Sequence, residues 1–375
     1  MPRRPLICRF FGATHWAWLL GLFVLLPTAS GCGYFSSTTS ADGTGAETST
    51  ETAEVATETG SEKPIEPATT PTSSVGSVPQ LPKSASDSST PTRINPNPTT
   101  ARPLMLGSFN IQRFGESKSV NETVMNRLLE IAYPFDVLAI QEVVSQKEPV
   151  VQDFVTKLNA KYGAKFNYVV GPFVGRTSYV ERAAYVYDTS RVKVLEQPFM
   201  LADPDDKLHR EPLITRFQVR EDLSASPFSF VMVNLHLDPE DGVAELDHVS
   251  DLLNVLQSMF QGQEDDFLFV GDFNLSPGKM FSETKFASRP EWKPVLDDSV
   301  MTNTRKDKAY DNMLYHVENT SEFLRRQGVI DLAARFRITL DETLEISDHL
   351  PIWAAFSLEE SGPQNVASGT ATTVR

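Results

Sequence analysis

DFLFVGDFN (266–274) sets the reading of the chain: four apolar residues, Phe267 to Val270, run through Gly271 into Asp272 and Asn274. An apolar run this short, bounded by polar residues, reads as a buried strand. The pattern recurs on both sides. LMLGSFN (104–110) ends in Asn110 and DVLAIQE (136–142) in Glu142, while FSFVMVNLHL (228–237) carries His236 near its end. Asp311 opens YDNMLYHV (310–317), and Asp348-His349 directly precede LPIWAAFS (350–357). Strand ends open onto a sheet edge, so these side chains can converge from distant parts of the chain.

AAYVYD (183–188), VKVLEQPF (192–199) and PLITRFQV (212–219) read as further strands. Leu246, Val249, Leu253, Leu256 and Phe260, at spacings of three and four, predict a helix, and a second is expected over Val120–Ile131 with Val124, Leu128 and Ile131 buried. Strands of both kinds mixed with helices mean α/β or α+β with much sheet. One globular domain is expected over 102–360, and its 40% hydrophobic chain can supply a core.

Outward from that domain the composition changes. Arg3, Arg4 and Arg9 precede the apolar run Trp16–Leu26, which is shorter than the ~20 residues that span a bilayer. Thr28, Ala29, Ser30 and Gly31 then lead to Cys32, so residues 1–32 resemble a bacterial lipoprotein signal with Cys32 as the lipidated residue. An ordinary signal peptide or an uncleaved signal anchor is the alternative; each exports the domain. Residues 33–101 are rich in Ser, Thr, Pro and Glu and read as a disordered tether, and 361–375 as a disordered tail. The only other cysteine, Cys8, lies in the signal, so no internal disulfide is expected in the mature chain. Of the formal charge of −15, the part from Arg102 onward holds −13. Such acidity excludes diffuse electrostatic binding to polyanions, so a nucleic-acid partner would need metal ions or a local basic cluster.

Each polar residue has a plain structural explanation: Asp272 as a turn cap, Asn110 as an Asx turn, Asp348-His349 as a polar loop. Their repetition at strand ends favours a common site. Glu142 and Asp348 are hard oxygen ligands suited to Mg²⁺ or Ca²⁺, and no His/Cys spacing points to zinc. His236 and His349, two of only 6 His, suit general base and acid roles near neutral pH. Together these residues suit phosphodiester hydrolysis.

SFNIQ (108–112), AIQEV (139–143), NLHLDP (234–239), VGDFN (270–274), AYDN (309–312) and SDHLP (347–351), in this order, resemble the endonuclease/exonuclease/phosphatase superfamily. The resemblance covers essentially all of 104–357. It implies a four-layer α/β sandwich, with two mixed β-sheets face to face and helices on the outer faces, and a site at one end. GRTSYVER (175–182), SRVKVLE (190–196), HREP (209–212) and HLDPEDGVAELD (236–247) are similar to deoxyribonuclease I in particular. The resemblance implies Tyr179 as a DNA-contact aromatic, Glu181 as partner of His236 and Asp311 as partner of His349, with Arg210 near the scissile phosphate. Without it, Tyr179 reads as an exposed loop aromatic and Glu181 with Arg182 as a surface ion pair. Val144 and Thr177 depart from the pattern, standing where it has an arginine and an asparagine. Arg176, Arg182, Arg210 and Arg216 remain as candidate phosphate contacts.

The resulting expectation is a metal-dependent, non-specific DNA endonuclease, monomeric and lipid-anchored outside the cytoplasm. Glu142, Asn110, Asp348 and Asp272 would hold Mg²⁺, which Ca²⁺ or Mn²⁺ could assist, while Asp272 and Asn274 position phosphate. Val144 and the anchor leave a phosphomonoester or a lipid phosphodiester such as sphingomyelin as the alternative substrate, although no exposed aromatic hairpin suggests bilayer insertion. A catalytically dead surface-binding module is the third reading, disfavoured because the site residues are intact.

Overall fold

The structure, a computed structural model, describes residues 102–145, 149–163 and 165–361. The signal, Cys32, the tether and the tail beyond Ser361 lie outside the described residues. The strands in chain order are β1 (Leu104–Phe114), β2 (Val137–Val143), β3 (Phe166–Val170), β4 (Arg182–Asp188), β5 (Val192–Val194), β6 (Phe199–Met200), β7 (Leu213–Val219), β8 (Ser229–His236), β9 (Phe267–Asp272), β10 (Trp292–Pro294), β11 (Asp311–His316), β12 (Phe323–Val329) and β13 (Ile352–Phe356). One sheet has the order β12-β13-β1-β2-β4-β3; the other has β10-β11-β9-β8-β7-β5, with β6 paired to β7. The pairs β1–β2 and β8–β9 are parallel and their neighbours antiparallel, so both sheets are mixed. The helices are α1 (Glu116–Val120), α2 (Glu122–Ala132), α3 (Val150–Tyr162), α4 (Gly242–Met259), α5 (Pro277–Glu283), α6 (Leu332–Phe336) and α7 (Leu340–Ile346).

Period-two alternation sorts the strand side chains into three cores. Leu104, Leu106, Val137, Ala139, Tyr185, Phe230, Met232, Leu268, Val270 and Met313 meet between the sheets. Their neighbours face outward: Phe109, Leu138, Ile140 and Val186 pack against α2 and α3, and Val231, Val233, Phe267 and Phe269 against Leu246, Val249 and Leu253 of α4. The result is the expected four-layer sandwich of helix, sheet, sheet and helix.

Several boundaries differ from the sequence reading. VKVLEQPF splits into β5 and β6, because Pro198 has no N–H for a ladder. β12 was not foreseen: its residues Leu324 to Gln327 are exposed on the sheet edge, so it lacks apolar alternation. α2 starts at Glu122 rather than Val120, because the Asn121 side chain accepts from the N–H groups of Thr123 and Val124.

Candidate active site

The alternation that fills the space between the sheets also builds the site. On β8 the inward positions run Phe230, Met232, Asn234, His236; on β9 Leu268, Val270, Asp272; on β1 Leu104, Leu106, Ser108, Asn110. At the same end of every strand the inner face changes from apolar to polar. His236 pairs with Asp272 across the parallel β8–β9 ladder, and Asp272 pairs with Asp311 across β9–β11. Gly271 permits this closeness: at φ 145° a Cβ there would lie 1.9 Å from the Leu235 carbonyl oxygen.

Both imidazoles are held from behind by a carboxylate. His236 Nδ1 lies 2.6 Å from Glu181 Oε1, and His349 Nδ1 lies 2.8 Å from Asp311 Oδ2. A carboxylate on Nδ1 fixes the tautomer that leaves Nε2 free in the neutral ring. Both Nε2 atoms face Asp272 Oδ2, at 3.7 Å from His236 and 3.4 Å from His349. Burial pulls both imidazoles down, but Glu181 and Asp272 raise His236, and Asp311 and Asp272 raise His349, leaving both above the usual histidine value. Burial works against ionisation of Asp272, yet the two imidazoles hold its carboxyl below the usual range.

Alternation would point Glu142 outward. Instead the β1–β2 and β2–β4 registers shift at this point, and Glu142 adopts φ 62°. This bulge returns Val143 to the outer core and frees Glu142 to turn into the site, at the cost of a left-handed backbone that bulges near functional sites often carry. Asn110 Nδ2 donates to Glu142 Oε1 at 2.9 Å and to Asp272 Oδ2 at 3.1 Å. Glu142 Oε2 accepts from the Arg113 N–H at 2.9 Å and from the Tyr179 hydroxyl at 2.8 Å. Burial disfavours the Glu142 carboxylate, but His236 and these donors outweigh it and lower its pKa.

The other expected residues fall into two groups. Asn274 closes the turn after β9, its N–H donating to Asp272 Oδ1 at 3.0 Å and its amide to the Leu237 carbonyl at 2.8 Å. Arg210 Nε lies 3.2 Å from Glu181 Oε2, beside the His236 pair. Tyr179 is half-buried, with the Arg113 guanidinium 6.0 Å from its ring centre. Arg176 is exposed and paired with Asp206 at 3.1 Å, and Arg182 stacks 3.9 Å over Phe173. Arg216 does not join the site. It pairs with Glu196 and with Glu264, which precedes β9 at the end opposite Asp272, because strand β7 carries it five register positions from His236.

Four supporting residues were not foreseen. Gln141 Nε2 donates to Asn234 Oδ1 at 2.7 Å, joining the two sheets beneath the site, and Asn234 Nδ2 donates back to the Ile140 and Ala184 carbonyls. Ser347 Oγ donates to the Asn110 carbonyl at 2.7 Å and accepts from the His349 N–H at 3.0 Å. Lys118 Nζ donates to the carbonyls of Ile111, Gln112 and Ile346 at 2.6, 2.5 and 2.7 Å. Burial takes the Lys118 ammonium down to about 8, against the opposing pull of Glu142 and Asp348. The inward polar positions of AIQEV and VNLH signal Gln141 and Asn234; nothing local marks Lys118.

The residues fit a hard divalent cation. Glu142 and Asp348 supply hard carboxylate oxygens, and Asp348 Oδ1 is buried without a hydrogen-bond partner, whereas the Asn110 amide oxygen already accepts from the Gln112 N–H at 2.9 Å. Asp272, Asp311 and His349 also bring potential ligand atoms within 4.8 Å of one another.

No family model matches the chain. Deoxyribonuclease gamma of Mus musculus is 30% identical over 275 residues, covering 69% of this chain and 85% of that protein. Deoxyribonuclease-1-like 1 of Chlorocebus aethiops is 29% identical over 269 residues, covering 70% and 87%. Among solved structures, an endonuclease/exonuclease/phosphatase family protein from Bacteroides thetaiotaomicron superposes with a TM-score of 0.46 at 16% identity, covering 68% of this chain and 98% of that one. At 30% identity over 85% of the mouse protein, the chain belongs to the deoxyribonuclease I-like enzymes.

Proposed function

We propose that the chain is a divalent-metal-dependent endonuclease that hydrolyses DNA phosphodiester bonds with little sequence specificity. The observation that carries this reading is the pair of carboxylate-backed imidazoles whose Nε2 atoms meet at Asp272, next to Glu142. The deoxyribonuclease names of its relatives support DNA as the substrate.

In this reading one imidazole takes the proton of the attacking water at Nε2, and the other gives a proton to the leaving oxygen. Glu181 and Asp311 keep each Nδ1 protonated and stabilise whichever ring is charged. Asp272 holds the two rings in register, and Asn274 fixes Asp272 through its backbone N–H. Glu142, Asn110, Asp348 and Asp272 would hold Mg²⁺, which Ca²⁺ or Mn²⁺ could accompany; when bound, the ion would supply positive charge to offset that of the phosphate. Arg210 contacts the phosphate, and Tyr179 and Arg176 contact the DNA. The acidity of the domain repels DNA and makes the cation more necessary. Lipidation at Cys32 and the long tether would hold a monomeric enzyme outside the cytoplasm, a reading that membrane fractionation of Cys32→Ser tests.

Val144, in place of a groove-inserted guanidinium, favours a smaller phosphoester as the second reading. Parallel assays of plasmid DNA, bis-p-nitrophenyl phosphate and sphingomyelin vesicles with Mg²⁺ separate the two. Plasmid turnover is expected to dominate; intact plasmid with hydrolysis of either other substrate overturns the DNA assignment.

A further inference from the structure

We propose that Asp266, Glu322 and Glu360 form a second divalent-cation site, suited to Ca²⁺, at the end of the sandwich opposite the catalytic residues. Asp266 immediately precedes β9, whose last residue is Asp272, and Glu322 immediately precedes β12. Glu360 follows β13, where the chain leaves the sheet. One carboxylate oxygen of each lies within 4.8 Å of the others.

Two of these acids are almost wholly removed from water, Asp266 at 1% exposure and Glu322 at 0%. Oε2 of Glu322 is buried with no hydrogen-bond partner, and the buried carboxylate of Asp266 has only the adjoining Thr320 hydroxyl near it as a side-chain donor. The remaining oxygens are partly engaged: Glu322 Oε1 accepts from the Ser361 N–H at 2.5 Å, and Glu360 Oε2 from the Ser229 N–H at 3.2 Å. No ion pair reaches any of the three among the described residues. The neighbouring Arg216 is already taken by Glu264 at 3.1 Å and Glu196 at 3.4 Å.

A buried carboxylate without donors must either gain a counter-charge or take up a proton. Burial pushes Asp266 up to about 9 and Glu360 up to about 7, so proton uptake is the alternative. A proton, however, joins at most two of these oxygens, whereas one cation can meet an oxygen of each of the three acids at once. The donor set is entirely oxygen, with several carboxylates, which selects Ca²⁺ over zinc. Glu360 is only half-buried and leaves a route for water and the ion. The region from Arg102 onward has no cysteine, so a cation joining the starts of β9 and β12 to the exit of β13 would serve as the cross-link between the sheets.

The test compares the EDTA-treated full chain, Glu142→Gln, and the double variant Glu322→Gln/Glu360→Gln, by Ca²⁺ calorimetry and thermal unfolding. One Ca²⁺ equivalent that does not depend on Glu142 is expected in both the wild type and Glu142→Gln, raising Tm by about 5 °C near 100-fold saturation. The double variant is expected to lose that equivalent and that shift, while its metal-free Tm equals or exceeds that of the wild type because carboxylate repulsion is gone. The same Ca²⁺-dependent shift in the double variant overturns the site. So does a wild type that binds no Ca²⁺ outside the catalytic centre and is stabilised only by acidification, the behaviour of a shared-proton cluster.

Discussion

His236 and His349 present their Nε2 atoms to one carboxylate oxygen, Oδ2 of Asp272, at 3.7 and 3.4 Å, with Glu181 and Asp311 behind them. The two halves are chemically equivalent, each a carboxylate holding an imidazole by Nδ1. Glu181→Gln and Asp311→Asn keep the shape but can present the wrong hydrogen-bonding partner to Nδ1. Each is expected to lower kcat by about 10²-fold or more with the urea midpoint little changed. A rate within twofold of wild type removes that carboxylate from the mechanism.

Lys118 ties Ile111 and Gln112, beside Asn110, to Ile346, two residues before Asp348. Lys118→Met leaves three carbonyls without their donor and uncouples the two segments that carry the proposed cation ligands. A loss of about 1–3 kcal/mol by urea unfolding is expected, with a higher Mg²⁺ requirement for DNA cleavage. Unchanged stability and Mg²⁺ dependence together exclude a positioning role.

Gln141 and Asn234 join the sheets through a buried 2.7 Å hydrogen bond. A double-mutant cycle with Gln141→Leu and Asn234→Leu is expected to give a coupling of about 0.5–3 kcal/mol, because each single change strands its partner and the double change does not. Additive losses mean that the bond does not couple the sheets.

Tyr185 crosses the same interface from β4, its hydroxyl donating to the Leu213 and Met232 carbonyls at 3.0 and 2.9 Å. Burial raises its pKa well above the ordinary tyrosine value, with only a backbone contact from Asn234 opposing. Above about pH 10 the unfolded chain therefore releases a proton that the folded chain keeps, so stability falls as pH rises. Tyr185→Phe is expected to cost about 1 kcal/mol at neutral pH and to show a shallower alkaline loss. Parallel stability curves for both proteins between about pH 9 and 11 argue against this linkage.

The site was legible where strand periodicity alone carries it. In VMVNLH and FLFVGD the inward positions turn from apolar to polar as the strand ends, and His236 and Asp272 are the last residues there. Glu142 was legible as a residue type after an apolar run, but its inward direction depends on a bulge with φ 62° that no local composition announces. Arg216 shows the converse: a basic residue near the right motifs that the β7 register carries to the far end. β12 was missed because an edge strand with exposed Arg325 and Arg326 has no apolar alternation to read. Lys118 acts on backbone carbonyls brought together only by the tertiary fold, so its role could not be read from sequence spacing.

The most direct measurement is conversion of supercoiled plasmid to nicked and then linear DNA with Mg²⁺ by the wild type, His236→Ala and His349→Ala, with EDTA as control. The wild type should nick and linearise the plasmid, EDTA should abolish this, and each alanine variant should lose about 10²–10⁴-fold in rate. An intact plasmid with the wild type, or near wild-type nicking by either variant, is incompatible with a two-histidine DNA endonuclease.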